Sequence, residues 1–319
     1  MARINLNSNN TIAIRDNKEV TEMLNIKEFA DAITNKINEM QDEYTAEMRE
    51  IVKFNDNKLY GVSLRRSDKD SAPTFYPEQF YDDYKAGFGI SSIAMQIMAN
   101  VKGGDAPAGL PTVNFDFSFE NIKDKLSVRV LDTEKNQEYM ENVVCSVQDC
   151  GLGLIAVIDF SEEYGTVVTK SLAESSGYDL DELFSTAIKN KQSREPARLF
   201  NMGGMLFGSS KENLLDAETF EMPTESPMFF LGTDNAFGAS TLFYDGVLDK
   251  IAKLFGGGFY ILPSSIHELI ILPDDGAHSV HALKNMVKSA NATVVEPQDV
   301  LSDRVFYYDA TFGKVLEAI

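Results

Sequence analysis

The segment Phe259-Tyr-Ile-Leu-Pro-Ser-Ser-Ile-His-Glu-Leu-Ile-Ile-Leu-Pro273 decides the fold class. Its two apolar runs, Phe259 to Leu262 and Ile266 to Leu272, each have the length of a β-strand. Pro263-Ser264-Ser265 lies between them and is typical of a bend. Strands joined by so short a connection pair antiparallel. The segment therefore predicts two neighbouring strands of an antiparallel sheet.

Working outward, strand and helix patterns alternate without a regular βαβ repeat. Val247 to Phe255 carries a helical apolar stripe with Gly256 at the expected C-cap position. The residues 44–66 read as a hairpin around the turn Asn55-Asp56-Asn57. We also expect a helix over 133–141 and strands over 238–243 and 305–308. These patterns predict an α+β fold with mainly antiparallel sheets and packed helices.

The stretch Gly103 to Pro111 is rich in glycine and proline and predicts a boundary between two subdomains. Residues 1–25, crowded with asparagine at the start, are expected to be a weakly ordered N-terminal segment. Residues 26–104 would then form an N-terminal α+β subdomain and 112–319 a C-terminal one. The C-terminal part contains an irregular acidic segment, 201–226.

The chain of 319 residues has 29 basic and 49 acidic side chains, giving a net charge of -20. A hydrophobic content of 44% is globular and excludes a disordered acidic tail. So strong an acidic balance excludes a nucleic-acid groove or an anionic membrane surface as a direct partner, since either needs a basic patch. The excess is locally largest over 201–250, with two basic and eight acidic residues.

Several features predict a cytoplasmic protein. The N-terminus, Met1 to Asn5, lacks the apolar run of a signal peptide. No stretch approaches the roughly 20 apolar residues of a membrane span. The two cysteines, Cys145 and Cys150, have a spacing that matches neither a zinc ribbon nor a C-x-x-C redox motif. We interpret them as free thiols in a reducing compartment.

All three histidines, His267, His278 and His281, lie within fifteen positions and beside acidic residues. Imidazoles and carboxylates with an open position would suit hydrolytic zinc chemistry. Their spacing is not that of an H-E-x-x-H helix, because His267-Glu268 is followed by Leu269. The alternative is a strand histidine at position 267 and an exposed helix start at 278–281. The sequence predicts no metal and no cofactor, with these histidines as the candidates if a metal binds.

Ser264, His267 and Glu268 are the candidate catalytic residues. A serine beside a histidine suggests nucleophilic catalysis, although close neighbours on one strand seldom reach the required geometry. The chain has no G-x-S-x-G elbow. The alternative is that Ser264 belongs to a bend between two strands.

The acidic segment carries the candidate binding residues. A carboxylate surface imitates a phosphate backbone and could occupy the basic groove of a nucleic-acid-processing protein. The alternative is that these acids only maintain solubility. The candidates are Glu212, Asp216, Glu218, Glu221 and Glu225.

Several segments together resemble one family of unknown function that is common in anaerobic Gram-positive gut bacteria. They are Met228-Phe-Phe-Leu-Gly-Thr, Phe237-Gly-Ala-Ser-Thr-Leu-Phe-Tyr, the segment 259–273, Asn291 to Asp309, and upstream Pro73-Thr-Phe-Tyr, Phe80-Tyr-Asp-Asp-Tyr and Phe115-Asp-Phe-Ser. The resemblance covers about residues 26–312. It implies a cytoplasmic accessory protein, often of mobile elements, and brings no activity, substrate or catalytic residue with it.

The leading functional hypothesis is a non-enzymatic accessory factor that binds a protein partner, and its specific form is a factor that binds a basic partner. One alternative is a metal-assisted hydrolase using His267 and Glu268. Another is a protein that captures a small ligand in a pocket between the subdomains. The sequence leaves the oligomeric state open.

Overall fold

The computed structural model describes residues 23–67, 74–103, 115–161, 165–203, 213–217, 220–222 and 228–319. The described residues form two compact units. The first comprises those up to residue 103 except 54–56, and the second comprises 54–56 and those from 115 onward.

The first unit packs helices against a three-stranded antiparallel sheet of order β1-β2-β3. Asn25 begins the first helix with a capping box, in which its side chain and that of Glu28 satisfy each other's backbone N–H. Phe29, Ile33 and Ile37 of the apolar stripe of that helix are fully buried. The elements are α1 (Ile26–Met40), β1 (Thr45–Lys53), β2 (Asn57–Arg65), β3 (Thr74–Phe75), α2 (Glu78–Lys85) and α3 (Ile90–Gly103).

The second unit contains the remaining elements. Its helices are α4 (Phe119–Ile122), α5 (Lys170–Ser176), α6 (Leu180–Arg194), α7 (Val247–Phe255) and α8 (Val280–Thr293). Its strands are β4 (Leu126–Asp132), β5 (Cys145–Val147), β6 (Leu152–Asp159), β7 (Gly165–Val167), β8 (Arg198–Asn201), β9 (Phe229–Gly232), β10 (Phe259–Leu262), β11 (Glu268–Pro273), β12 (Phe306–Asp309) and β13 (Lys314–Glu317).

Two antiparallel sheets organise this unit. In one, the apolar strand β6 pairs with β4, β5 and β7. The other has the order β13-β12-β10-β11-β9-β8 and includes the predicted pair β10 and β11, with Ile261 opposite Ile271. Fully buried phenylalanines from three of its strands, Phe229, Phe259 and Phe306, lie in one continuous core with side chains of β4, β6 and α6. The predicted α+β class is confirmed.

Two predicted elements are wrong. Residues 238–243, expected as a strand, form a 3-10 helix (Gly238–Phe243), because the hydroxyls of Ser240 and Thr241 bond back to carbonyls three residues earlier. Residues 133–141, expected as a helix, are turns that end in a 3-10 helix (Tyr139–Glu141). There the Asp56 carboxylate accepts from the backbone N–H of Tyr139 at 2.8 Å, which fixes a non-helical path.

Among the described helices, none combines the length and the apolar content needed to cross a lipid bilayer.

Candidate functional site

A cavity of about 490 Å³ lies in the second unit, and we call it the polar cavity. Its walls come from four places: β4, the end of β6, the end of α6, and the loop 235–237 between β9 and the 3-10 helix Gly238–Phe243. This volume is within the range of sites that take small molecules. Among the residues that the structure describes, five lining side chains carry charge: Arg129, Lys191, Arg194, Asp159 and Glu195.

Arg129 is the single residue of β4 that is not fully buried. Its guanidinium carbon lies 3.8 Å from the centre of the Phe237 ring, a cation–π contact. Among the residues that the structure describes, none accepts a hydrogen bond from this guanidinium and none places a carboxylate within ion-pair distance of it. Burial lowers the pKa of Arg129, and this effect outweighs Asp159 and Tyr139, which raise it. The cation is therefore partly desolvated without an ionic partner in direct contact.

The helix α6 brings two further cations to the cavity. Lys191 follows Phe184 and Ala187 on the buried face of the helix and is 3% exposed. Its ammonium group is 2.8 Å from the Glu195 carboxylate. Arg194 donates to the carbonyl of Leu126 at 2.8 Å and is thereby fixed against the start of β4. Both cations are thus held in place by the protein itself.

The five charged side chains give the polar cavity one more positive than negative charge. The whole chain has a net charge of -20, so the sign inside the cavity is opposite to that of the protein. A cavity with low-dielectric walls concentrates such a field. The electrostatics therefore favour an anionic ligand over a cationic one.

The Phe237 ring that supports Arg129 sits on a strained backbone. Phe237 has φ of 63°, in the left-handed region that bulky side chains seldom adopt. The next residue must be glycine, because a Cβ at Gly238 would lie 2.5 Å from the carbonyl oxygen of His267. The left-handed conformation of Phe237 costs of order 1 kcal/mol or more. Conformations of this kind persist where the surrounding structure fixes them, and they are frequent at ligand sites.

His267 is one of the groups that fix Phe237. Its Nδ1 accepts the backbone N–H of Phe237 at 3.1 Å, so its proton lies on Nε2. That Nε2 is 3.5 Å from a carboxylate oxygen of Asp299. The rings of His267 and Phe237 are also in contact, with their centroids 5.5 Å apart. In this arrangement His267 orients the cavity wall.

A second cavity, of about 210 Å³, adjoins the first, and we call it the apolar cavity. It shares Arg129 and Phe237 with the polar cavity. Most of its other lining residues are apolar: Phe54, Val130, Ile155, Val167 and Ile266. Tyr139, Gln298 and Asp299 complete its lining, and burial raises the pKa of Tyr139.

The three catalytic candidates differ in their exposure and in their hydrogen-bond partners. Ser264 is 7% exposed, and its carbonyl accepts from the backbone of Leu301. Glu268, at the start of β11, is exposed. His267 lies between them but directs its ring toward Phe237 and Asp299. None of the three lines the polar or the apolar cavity. A catalytic role for these residues stays a prediction.

The other two histidines lie at the start of α8, with His278 half-buried and His281 exposed. In the part of the chain that the structure describes, no group of three His, Cys, Asp or Glu side chains could hold a metal ion.

Two of the five acidic binding candidates are among the described residues. Asp216 is exposed, accepts a hydrogen bond from the Asn213 amide at 2.7 Å and lies 3.8 Å from Lys250. Glu221 is also exposed. Glu212, Glu218 and Glu225 lie outside the described residues, as do most of the predicted N-terminal segment and most of the predicted linker.

Sequence reasoning missed the polar cavity, although two signals pointed to it. Arg129 interrupts the apolar strand Leu126 to Leu131, and Lys191 falls on the apolar stripe of α6. A lone cation on a buried face requires either a partner or a ligand. The role of Phe237 had no comparable signal, because a left-handed phenylalanine cannot be read from its neighbours.

The α+β fold and its cation-lined cavity define a protein with a candidate small-anion site. The chain matches the model of a family of unknown function, DUF5688, over residues 26–310, and it belongs to that family. No curated protein and no solved structure matches it.

Proposed function

We propose that this protein binds a small anion in the polar cavity, with the guanidinium of Arg129 as the principal anchor. The observation that carries the proposal is the state of Arg129. Within the described chain its guanidinium donors have no hydrogen-bond acceptor, and Arg129 lines a cavity large enough for a small molecule. Guanidinium groups bind carboxylates and phosphates through two parallel hydrogen bonds.

Three further features support this proposal. Lys191 and Arg194 add positive potential, and each is held in place by its own partner. The Phe237 ring, 3.8 Å from the guanidinium carbon, restricts the Arg129 side chain, which reduces the entropy lost when an anion binds. Asn235 and Ser127 supply neutral polar groups at the wall. The site is thus arranged before any ligand arrives.

Binding of a small molecule thereby becomes the leading functional hypothesis, in place of binding of a protein partner. The proposed ligand site lies within the second unit. The accessory-factor hypothesis, in which the acidic segment binds a basic partner, stays a prediction. We also retain the proposal of a reducing, cytoplasmic setting. Cys145 and Cys150 are both free, and burial raises the pKa of Cys145 to about 11.

The experiment is thermal unfolding of the full chain with acetate, benzoate or inorganic phosphate at constant ionic strength. We expect at least one of these anions to raise the midpoint temperature of the wild type, because a ligand that binds the native state stabilises it. The Arg129→Met substitution should lower the affinity for that anion roughly 10- to 100-fold, because it removes a pair of charge-assisted hydrogen bonds.

The matched control is Arg49→Met, which removes the same charge from an exposed position of β1. It should keep the full anion response. The proposal is wrong if no anion of the panel stabilises the wild type, or if the Arg129→Met variant responds like the Arg49→Met variant.

A further inference from the structure

The two cavities share two lining residues, Arg129 and Phe237. The other lining residues of the polar cavity include cations and neutral polar groups, whereas those of the apolar cavity include Val130, Ile155 and Val167. An anion on Arg129 would therefore have an apolar space directly beside it. A molecule that combines both characters would use both cavities at once.

We propose that the two cavities form one site for an organic carboxylate that carries an apolar ring or a short branched chain. The carboxylate accepts hydrogen bonds from Arg129, and the apolar group enters the apolar cavity beside Phe237. This inference rests on the proposed function and adds the class of ligand to it.

The charges favour a carboxylate over a phosphate. Asp159 and Glu195 also line the polar cavity, so its described lining residues carry an excess of a single positive charge. A monoanion matches that excess, whereas a phosphate near -2 would meet repulsion from both acids. The planar guanidinium also matches the planar carboxylate. A binding site made for phosphate would gain from more cations and fewer acids.

The size of the apolar cavity suits a ring. An engineered cavity of roughly 150 Å³ lined by apolar side chains holds benzene. The apolar cavity has about 210 Å³, which leaves room for a ring and part of its link to the carboxylate. Asp299 lies at one edge of this space, with a carboxylate oxygen 3.5 Å from Nε2 of His267.

The experiment compares 3-phenylpropionate with propionate and with the neutral 3-phenylpropionamide, by NMR titration of the full chain. We expect 3-phenylpropionate to bind the wild type roughly 10- to 100-fold more tightly than propionate, because the ring leaves water. The neutral amide should bind at least 10-fold more weakly than 3-phenylpropionate, since it offers no charge to the guanidinium.

Two variants on β7 locate the ring. Val167→Phe should fill the apolar cavity and remove the advantage of 3-phenylpropionate over propionate, while propionate still binds. The matched control, Thr166→Phe, places the same ring on the opposite face of the strand and should preserve the advantage. Both variants are first checked for native circular dichroism.

The outcomes separate this inference from the proposed function. If propionate and 3-phenylpropionate bind the wild type equally, the two-cavity inference is overturned and the anion site stands. If neither binds, the two-cavity inference is overturned, and the proposed function fails as well unless inorganic phosphate stabilises the wild type. The inference is also overturned if the Val167→Phe variant keeps the full ring advantage. If a variant fails to fold, the comparison of 3-phenylpropionate with propionate on the wild type alone tests the two-cavity inference.

Discussion

At Arg129 a charge is retained at a cost in stability. Burial lowers the pKa of Arg129, so the fold disfavours the charged form that the residue carries at neutral pH. The cation–π contact with Phe237 offsets part of that cost. A residue kept under such conditions is typical of a binding site, where function and stability oppose each other.

We therefore predict that Arg129→Met stabilises the ligand-free protein. Methionine fills similar space, remains in contact with the Phe237 ring and needs no ionic partner. The free energy of unfolding should rise by about 1 kcal/mol, measured from urea midpoints at an unchanged m-value. A loss of stability of 1 kcal/mol or more would show that Arg129 is structural and would contradict this view of the site.

At the scale of elements, the loop 235–237 and the 3-10 helix Gly238–Phe243 form the part of the fold that positions the site. Their conformation depends on one left-handed residue, Phe237, and on one close approach, at Gly238. In this conformation the Phe237 ring contacts the Arg129 guanidinium, while the backbone N–H of Phe237 donates a hydrogen bond to His267.

This conformation predicts an unusual order of stability between two substitutions. Phe237→Gly should be more stable to urea than Phe237→Ala by about 1 kcal/mol, because glycine adopts positive φ without a Cβ penalty. At the neighbouring Ala236, which has no positive φ, Ala236→Gly should instead lower stability. The idea of backbone strain at Phe237 fails if its alanine variant equals or exceeds its glycine variant in stability.

The elements also show which parts of the fold the sequence could predict. The hairpin β1–β2 and the pair β10–β11 follow from local alternation and turn residues, and both formed as predicted. The errors at 133–141 and 238–243 arose where side chains bond to the backbone. Such bonds can come from residues distant in sequence, as from Asp56 to Tyr139. Propensity carries no information about those partners.

The same limit applies to the site. His267 was singled out for its chemistry, and the structure shows its ring accepting the backbone N–H of Phe237, a contact that its place in the sequence did not indicate. Arg129 and Lys191 could have been noticed as cations on buried faces, but their convergence depends on how α6 lies against β4. That packing is a tertiary property, and no spacing in the sequence encodes it directly.

For the whole molecule, the charge of -20 and the positive cavity act at different ranges. The acidic excess is diffuse and is screened beyond about 10 Å at moderate salt, whereas charges inside a cavity are screened much less. We expect the diffuse charge to affect contact with other macromolecules and the charges of the cavity to affect small ligands. The two hypotheses for this protein are therefore separable by experiment.

If the acidic segment binds a basic partner, neutralising it should abolish that binding. We predict that the amide variant of Glu212, Asp216, Glu218, Glu221 and Glu225 loses a captured partner that the wild type keeps at low salt. Capture should also fall steeply between about 0.1 M and 1 M NaCl. The matched control neutralises five exposed acids of the first unit: Glu39, Asp42, Glu43, Glu47 and Glu50. The prediction is contradicted if the partner stays bound at high salt, or if it still binds the amide variant of the acidic segment.

The most direct measurement of the central claim is a crystal structure of the full chain soaked with 3-(4-bromophenyl)propionate, with bromine located by anomalous scattering. The account predicts a carboxylate within hydrogen-bond distance of the Arg129 guanidinium and a bromine peak in the apolar cavity beside Phe237. An empty polar cavity, or a ligand bound elsewhere with the Arg129 guanidinium still free of any acceptor, would contradict it.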